Sequence, residues 1–446
     1  MNGPGEAGQM PAIPTRAYMI VALLFVFQTL NFFDKLAFGV SGVPMMHEFS
    51  LTPKQFGLIG AAFFLFFAVG GTVIGTLFVG RYRSKHILLT LAGIWTASQL
   101  PVAFTHSLPI IIACRLLLGI GEGAALATAM TAAYEWFPDH RRNLPSAFIL
   151  QGISAGFLIG GPLLSWFVVH AGWRSCFLVC GVLSLVWMVL FALIGREGPL
   201  AGQHAAPVAH ETPLPFRLLW LDRTVIGVML IAFFGYWVIG MAAVWLPPFL
   251  RLGLGYAPLK ADWIISAIYV IQSPALILGS WLTHTMRQRG WSARICLGWS
   301  SGLAMLVSGA ALLAAVRSPA GVVQTCFLAI AFSVPSLTTI FGPVILAAIA
   351  PSRQRARLVV VIISATSISA FFSTFINGWI IGAYPGNAPL GFAIAFGLGG
   401  VILLAGGLAS FLLLFPEASA ARFAAYRQAR DTGAGFEPAS FARAKP

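Results

Sequence analysis

Long apolar runs separated by short polar or Pro/Gly-containing breaks dominate this chain. Twelve can be drawn: 17–46, 54–80, 86–105, 108–137, 143–170, 172–195, 223–250, 259–286, 292–316, 319–350, 356–384 and 388–415. A helix needs ~20 apolar residues to cross a bilayer's hydrocarbon core. The pattern therefore predicts an all-α membrane protein of twelve transmembrane helices. Residues 196–222 are the longest internal break; they are rich in Pro, Ala and His and carry no helical apolar period. They read as a linker between two six-helix bundles, 17–195 and 223–415. Residues 1–16 form a short N-terminal segment, and 416–446 a polar, cationic tail expected to be mobile. The first apolar run is too long for the core of a signal peptide, so no cleavable leader is expected.

Composition fits this reading. Of 446 residues 58% are hydrophobic and 9% charged, against roughly 25% charged in a soluble domain. A water-soluble fold has no means of hiding that much apolar surface, and a disordered chain needs low hydrophobicity. The net charge of +14 does not point to nucleic acid, because the bases are scattered through short loops. They are also unevenly distributed. Of the 27 Lys and Arg residues, 20 fall on one side of the predicted topology, five on the other, and Lys35 and Arg115 within spans. The positive-inside rule then puts both termini in the cytoplasm. A bacterial inner membrane and a monomer are the expected setting. The five cysteines all lie in apolar stretches, without metal-ligand spacing or a disulfide framework.

The two halves echo one another. Gly75-Thr-Leu-Phe-Val-Gly-Arg-Tyr-Arg closes the second span, and Gly279-Ser-Trp-Leu-Thr-His-Thr-Met-Arg closes the eighth. Two parallel six-helix halves around a midplane site are a transporter architecture.

The chemistry is expected where charge lies in the membrane, since each such group costs at least ~2.5–3.5 kcal/mol. Four lie well inside spans: Asp34 and Lys35 on the first, Arg115 and Glu122 on the fourth. Glu135 and Asp262 sit at span ends, and the second half has no charge at mid-depth. Arg115 and Glu122 are seven residues apart, so they share a helix face about 10 Å apart along the axis. Each therefore needs another partner: water, a substrate, or the Asp34/Lys35 pair. Lys35 and Arg115 suit a substrate carboxylate, Arg as a fork and Lys as a point charge. Asp34 and Glu122 are candidate proton carriers, their proton affinity responding to desolvation and neighbouring charge. The competing reading is a structural ion-pair network.

Neutral polar residues at mid-depth are candidate substrate contacts: Asn31, Gln151, Tyr236, Gln272 and Asn377, with Gln28, Thr338 and Thr339. Plain interhelical hydrogen bonding competes with that reading. Phe63, Phe64, Phe66, Phe67, Trp237 and Trp245 are candidates for stacking on a substrate or simply for packing. Gly152, Gly156 and Gly160, like Gly119 and Gly123, permit close helix contact, sliding or static. Pro247-Pro248 and Pro343 are expected to kink the seventh and tenth spans.

Several motifs together resemble one family. They are Asn31-Phe-Phe-Asp34-Lys35, Arg115-Leu-Leu-Leu-Gly-Ile-Gly-Glu122-Gly, Trp136-Phe-Pro138 with Arg141-Arg142, and Gly172-Trp173-Arg174. The chain resembles the anion:cation symporter family of the major facilitator superfamily, which includes sugar-acid transporters, phthalate-type permeases and sialin. The resemblance implies the twelve-helix, two-bundle alternating-access fold. It links Arg115 and Glu122 to proton coupling, Asp34 to protonation, and Lys35 to the substrate carboxylate. It also implies a proton gradient as energy source and no bound cofactor. Two departures stand out. Lys35 occupies a position where relatives carry Arg, and Val79-Gly80 stand where the loop after the second span normally has Asp. Gly160-Gly161-Pro162 is similar to an exchanger-associated motif.

The expected function is proton-coupled import of a small organic anion, a carboxylate, with anion exchange or proton-driven export on the same fold as the alternative. A membrane-embedded enzyme is disfavoured, because no nucleophile–base or metal constellation is legible.

Overall fold

The computed structural model describes residues 13–138, 141–201 and 214–431. The expectations for 1–12, 202–213 and 432–446 lie outside these residues. Among the described residues, twelve helices are long and apolar enough to cross a membrane. They are α1 (Thr15–Val40), α2 (Pro53–Leu77), α3 (Ser84–Phe104), α4 (Leu108–Tyr134), α5 (Asn143–Ala171), α6 (Arg174–Ile194), α7 (Arg223–Gly253), α8 (Pro258–Gln288), α9 (Arg294–Arg317), α10 (Val322–Ile349), α11 (Ser352–Gly382) and α12 (Ala388–Leu413). Local chemistry sets several starts. Thr52 and Gln55 form a capping box on α2 with Pro53 at its first position, and the Asp222 carboxylate accepts from the backbone N–H of Thr224 and Val225 at the start of α7.

Helices α1–α6 form one bundle and α7–α12 a second, and the buried apolar residues of the two join in one continuous core. In the first, Phe27 of α1 stacks on Trp95 of α3 (4.3 Å) and tilts on Trp187 of α6 (4.6 Å). The Trp187 indole N–H donates to the Leu23 carbonyl at 2.7 Å, which fixes the rotation of α1 and so the direction of Asp34 and Lys35. The glycine row on α5 serves packing inside this bundle: Gly152 meets Phe25 and Thr29 backbone, and Gly156 meets Thr29 and Phe32, all on α1.

The starts of α1 and α7 and the ends of α6 and α12 share one face, called here the termini face, where Arg223 donates to the Leu412 carbonyl and Lys85 to the Ala192 carbonyl. The described inter-bundle bonds lie at mid-depth or toward the opposite face. There α2 runs against α11 and α5 against α8. Gly57 and Gly378 meet backbone to backbone: a Cβ on Gly57 would stand 2.9 Å from the Thr374 carbonyl oxygen and 3.0 Å from the Gly378 Cα.

The proline expectation for the seventh span is met, and those for the tail and the linker need correction. Pro247-Pro248 does distort α7, which carries wide-turn π segments at Met241–Trp245 and Phe249–Gly253. In α10 an irregular turn falls at Val334–Ser336, around Pro335. Pro343 sits within the continuous helix Leu337–Ile349. The first part of the tail is not loose: Pro416–Asp431 is a helix. It buries Phe423 completely and ties Ser419 to Asp222 (2.8 Å) and Thr224 (2.6 Å). The linker also contains a short helix, Phe216–Trp220.

Candidate functional site

The four intramembrane charges are all at most 4% exposed and all in the first bundle. Their positions follow from helix azimuth. Asp34 and Lys35 are neighbours in α1, about 100° apart around its axis, and they point to different surroundings. Lys35 reaches across to α4, where its ammonium donates to the Glu122 carboxylate. It also donates to the Asn31 side-chain oxygen at 2.7 Å and to the Asn31 carbonyl at 3.2 Å. Asn31, one turn earlier in α1, is thus a holder of Lys35. The ammonium lies 4.7 Å from the Phe32 ring centre, 5.2 Å from Phe67 and 6.0 Å from Phe63. Asp34 turns into the interior of the bundle, where Gln99 of α3 and Cys180 of α6 are its polar neighbours. Neither of its oxygens has a hydrogen-bond partner among the described residues.

Arg115 does not pair with Glu122, two turns along α4. Its guanidinium sits between two phenyl rings, 4.4 Å from Phe38 and 4.5 Å from Phe63. Its Nε and Nη1 are buried without partners, as is Glu122 Oε1. Such rings stabilise a buried cation by up to about 2 kcal/mol while leaving its N–H donors free. Immediately after Glu122, α4 breaks: the helix Leu108–Glu122 ends and a second begins at Ala125. Gly123 faces α2 there, where a Cβ would meet Gly71 backbone at 2.3 Å.

The neutral candidates divide. Gln151 accepts from Ser273 of α8, Ser154 donates to Gln272 at 3.2 Å, and Gln272 donates to Ser336 of α10 at 2.5 Å. These residues form a polar seam between the bundles. It borders a cavity of about 280 Å³ that Phe25, Gln151, Ser154 and Ser273 help to line. Asn377 is fully buried within the second bundle, donating to Ser373 at 3.4 Å. Tyr236 is half-buried on α7 with no described hydrogen bond. Thr338 and Thr339 return their hydroxyls to the backbone of their own helix. Of the aromatic candidates, Phe63 and Phe67 face the cations. Trp245 donates to the Thr374 carbonyl at 2.9 Å.

Two ion pairs on the face opposite the termini were not legible as pairs. Arg251 of α7 and Asp262 of α8 are bonded and buried. The same guanidinium donates to the Val40 carbonyl at 2.7 Å and to the Ser165 hydroxyl at 3.4 Å, both in the other bundle. One residue therefore fastens the two halves together. Nearby, Arg174 grips Glu48 (2.6 Å), with Trp173 donating to the same carboxylate at 2.9 Å. Gly172 makes that turn with φ +79°, a conformation suited to glycine. The Arg174 guanidinium holds the Glu48 carboxyl down at about 2, well below the usual carboxylate range. On the termini face the Asp-less loop after α2 is anchored otherwise. Arg83 lies 3.8 Å from Glu197 and Lys85 donates to the Ala192 carbonyl at 2.9 Å.

The family model for the Major Facilitator Superfamily matches residues 24–341. A probable sulfoacetate transporter from Cupriavidus necator is 28% identical over 264 residues, 55% of this chain and 59% of that protein. The chain thus matches less than two thirds of that relative's length. A gallate transporter from Pseudomonas putida is 28% identical over 67% of this chain and 72% of the relative. Among solved structures, a bacterial homologue of the lysosomal transporter Spinster, inward-facing and unoccupied, superposes with a TM-score of 0.68 at 21% identity. It covers 96% of this chain and 100% of that one.

Proposed function

The chain belongs to the major facilitator superfamily, a family of multi-pass membrane transporters rather than enzymes, and we propose that it imports a small organic carboxylate with protons. The observation that carries this reading is the buried arrangement of Lys35, Arg115 and Glu122 in a single bundle, with Nε and Nη1 of Arg115 unpaired. Leaving buried polar atoms unsatisfied costs about 1–3 kcal/mol each, more for charged groups. An arriving carboxylate offers Arg115 the acceptors that its Nε and Nη1 lack. It competes with Glu122 for Lys35, and a Glu122 set free of its cation takes up a proton. Proton and anion then travel together. Asp34, isolated beside Gln99 and Cys180, is the second proton site. The relatives named for organic anions agree with this substrate class. The cytoplasmic placement of both termini, in a bacterial inner membrane, rests on the loop charge bias.

Access alternates by rocking of the bundles. The Arg251–Asp262 fastening closes one face while the ion cluster waits in the first bundle. Glu122→Gln in proteoliposomes tests the coupling: pH-driven accumulation is expected to vanish while substrate counterflow persists. Intact accumulation would remove Glu122 from proton coupling. Counterflow with no response to a proton gradient in the unaltered protein would assign exchange instead.

A further inference from the structure

A cavity of about 450 Å³ lies on the termini face, well away from the ion cluster. It is bounded by the end of α8, the start of α9 and α10. Its volume is in the range of ordinary ligand pockets, ~300–1,000 Å³. One side is polar: Thr283, His284 and Arg287 of α8 line it. The other side is apolar: Leu297 of α9, then Phe341 and Val344 of α10. Among the described residues no carboxylate lines it, and the Arg287 guanidinium has no ion pair or hydrogen bond.

The setting is the edge of the membrane. Arg287 is the penultimate residue of α8. Ile277, Trp281, His284 and Gln288 follow one helical stripe. Ile277 and Trp281 on that stripe are 61% and 63% exposed, as befits a flank facing acyl chains. Trp291 and Trp299 are exposed at the same end, the level at which tryptophan settles in a bilayer. A small hydrophilic anion has no use for the apolar wall, and a neutral lipid has none for an unpaired guanidinium. Both halves are used by a molecule with an anionic head and a hydrocarbon tail.

We infer that this cavity binds an anionic phospholipid from the surrounding leaflet, its phosphate held by Arg287 and His284 and an acyl chain laid along Phe341 and Val344. The purified full-length protein in neutral detergent supplies the test, with melting temperature and native mass spectrometry as readouts. Phosphatidylglycerol is expected to raise Tm by several degrees more than phosphatidylcholine and to remain bound in the gas phase, and inorganic phosphate is expected to do neither. The Arg287→Gln/His284→Gln variant should melt like the unaltered protein in phosphatidylcholine yet lose the extra shift. Val344→Trp, which fills the apolar side and leaves both cations, should also lose it. Equal shifts from the two lipids, an undiminished shift in both variants, or an equal shift from inorganic phosphate would each overturn the assignment.

Discussion

Removing the grip of Arg251 on the opposite bundle should change how long the face away from the termini stays closed. Arg251 is the only member of its ion pair that donates across the bundle boundary, to the Val40 carbonyl at 2.7 Å and the Ser165 hydroxyl at 3.4 Å. Deleting Arg251 alone would leave Asp262 as a buried, uncompensated carboxylate, at a cost of about 3–5 kcal/mol in stability. That would confuse gating with unfolding. The informative variant is therefore Arg251→Met combined with Asp262→Asn. A hydrogen bond from a charged donor is worth about 1.5–3 kcal/mol, and the longer contact to Ser165 adds little. Taking about 2 kcal/mol for the cross-bundle grip, and tenfold for each ~1.4 kcal/mol, the closed-to-open ratio at that face should fall roughly thirtyfold. Spin labels at His106→Cys and Ala320→Cys, one on each bundle's loop at that face and with Cys326 replaced by Ser, report the separation by double electron–electron resonance. A second, longer distance population is expected to grow in the double variant. A distribution identical to that of the unaltered pair would refute the fastening role.

Two more expectations follow from the same face. Gly57→Val places methyl groups against the backbone of Thr374 and Gly378, which cannot retreat like side chains; overpacking costs about 1–3 kcal/mol. The same label pair should show opening with the Arg251–Asp262 pair intact. Glu48 is held down at about 2 in the fold against 4.5 when free, so its contribution to stability is fully present above 4.5 and is lost as pH falls through about 2. Its side chain is 35% exposed, which limits the contribution to about 1 kcal/mol. Melting curves between pH 6 and 2 should show this loss in the unaltered protein and not in Glu48→Gln.

Much of this was legible because a bilayer penalises error so heavily. Twelve apolar runs became twelve spans, since hydrocarbon leaves a helix few alternatives. Lys35, Arg115 and Glu122 stood out for the same reason. Spacing alone showed that Arg115 and Glu122 need partners other than each other and offered the Asp34/Lys35 pair; what was not legible is that Lys35 takes Glu122 while Asp34 turns aside. That outcome depends on the rotation of α1, which the contacts of Phe27 with Trp95 and Trp187 set across the bundle. Asp262 read as a span-end charge and Arg251 as a loop base, because eleven residues and a turn separate them in sequence. The irregular turn of α10 at Pro335 was not read from the sequence. The tail read as loose because its composition is polar, while its order comes from contacts of Ser419 and Phe423 with elements some two hundred residues away or buried beneath it.

Because Lys35, Arg115 and Glu122 all belong to one bundle, tilting that bundle against its neighbour carries them as a unit. Their mutual geometry is the same whichever compartment they face, so rocking alone does not loosen a bound anion. Release then depends on hydration. In the cycle proposed above, water entering as one side parts raises the local dielectric and weakens every Coulomb attraction in the cluster at once, which would free anion and proton together. Among the described residues the second bundle buries no ionised side chain at that depth, so in the same proposal it meets the cargo with shape and neutral hydrogen bonds alone.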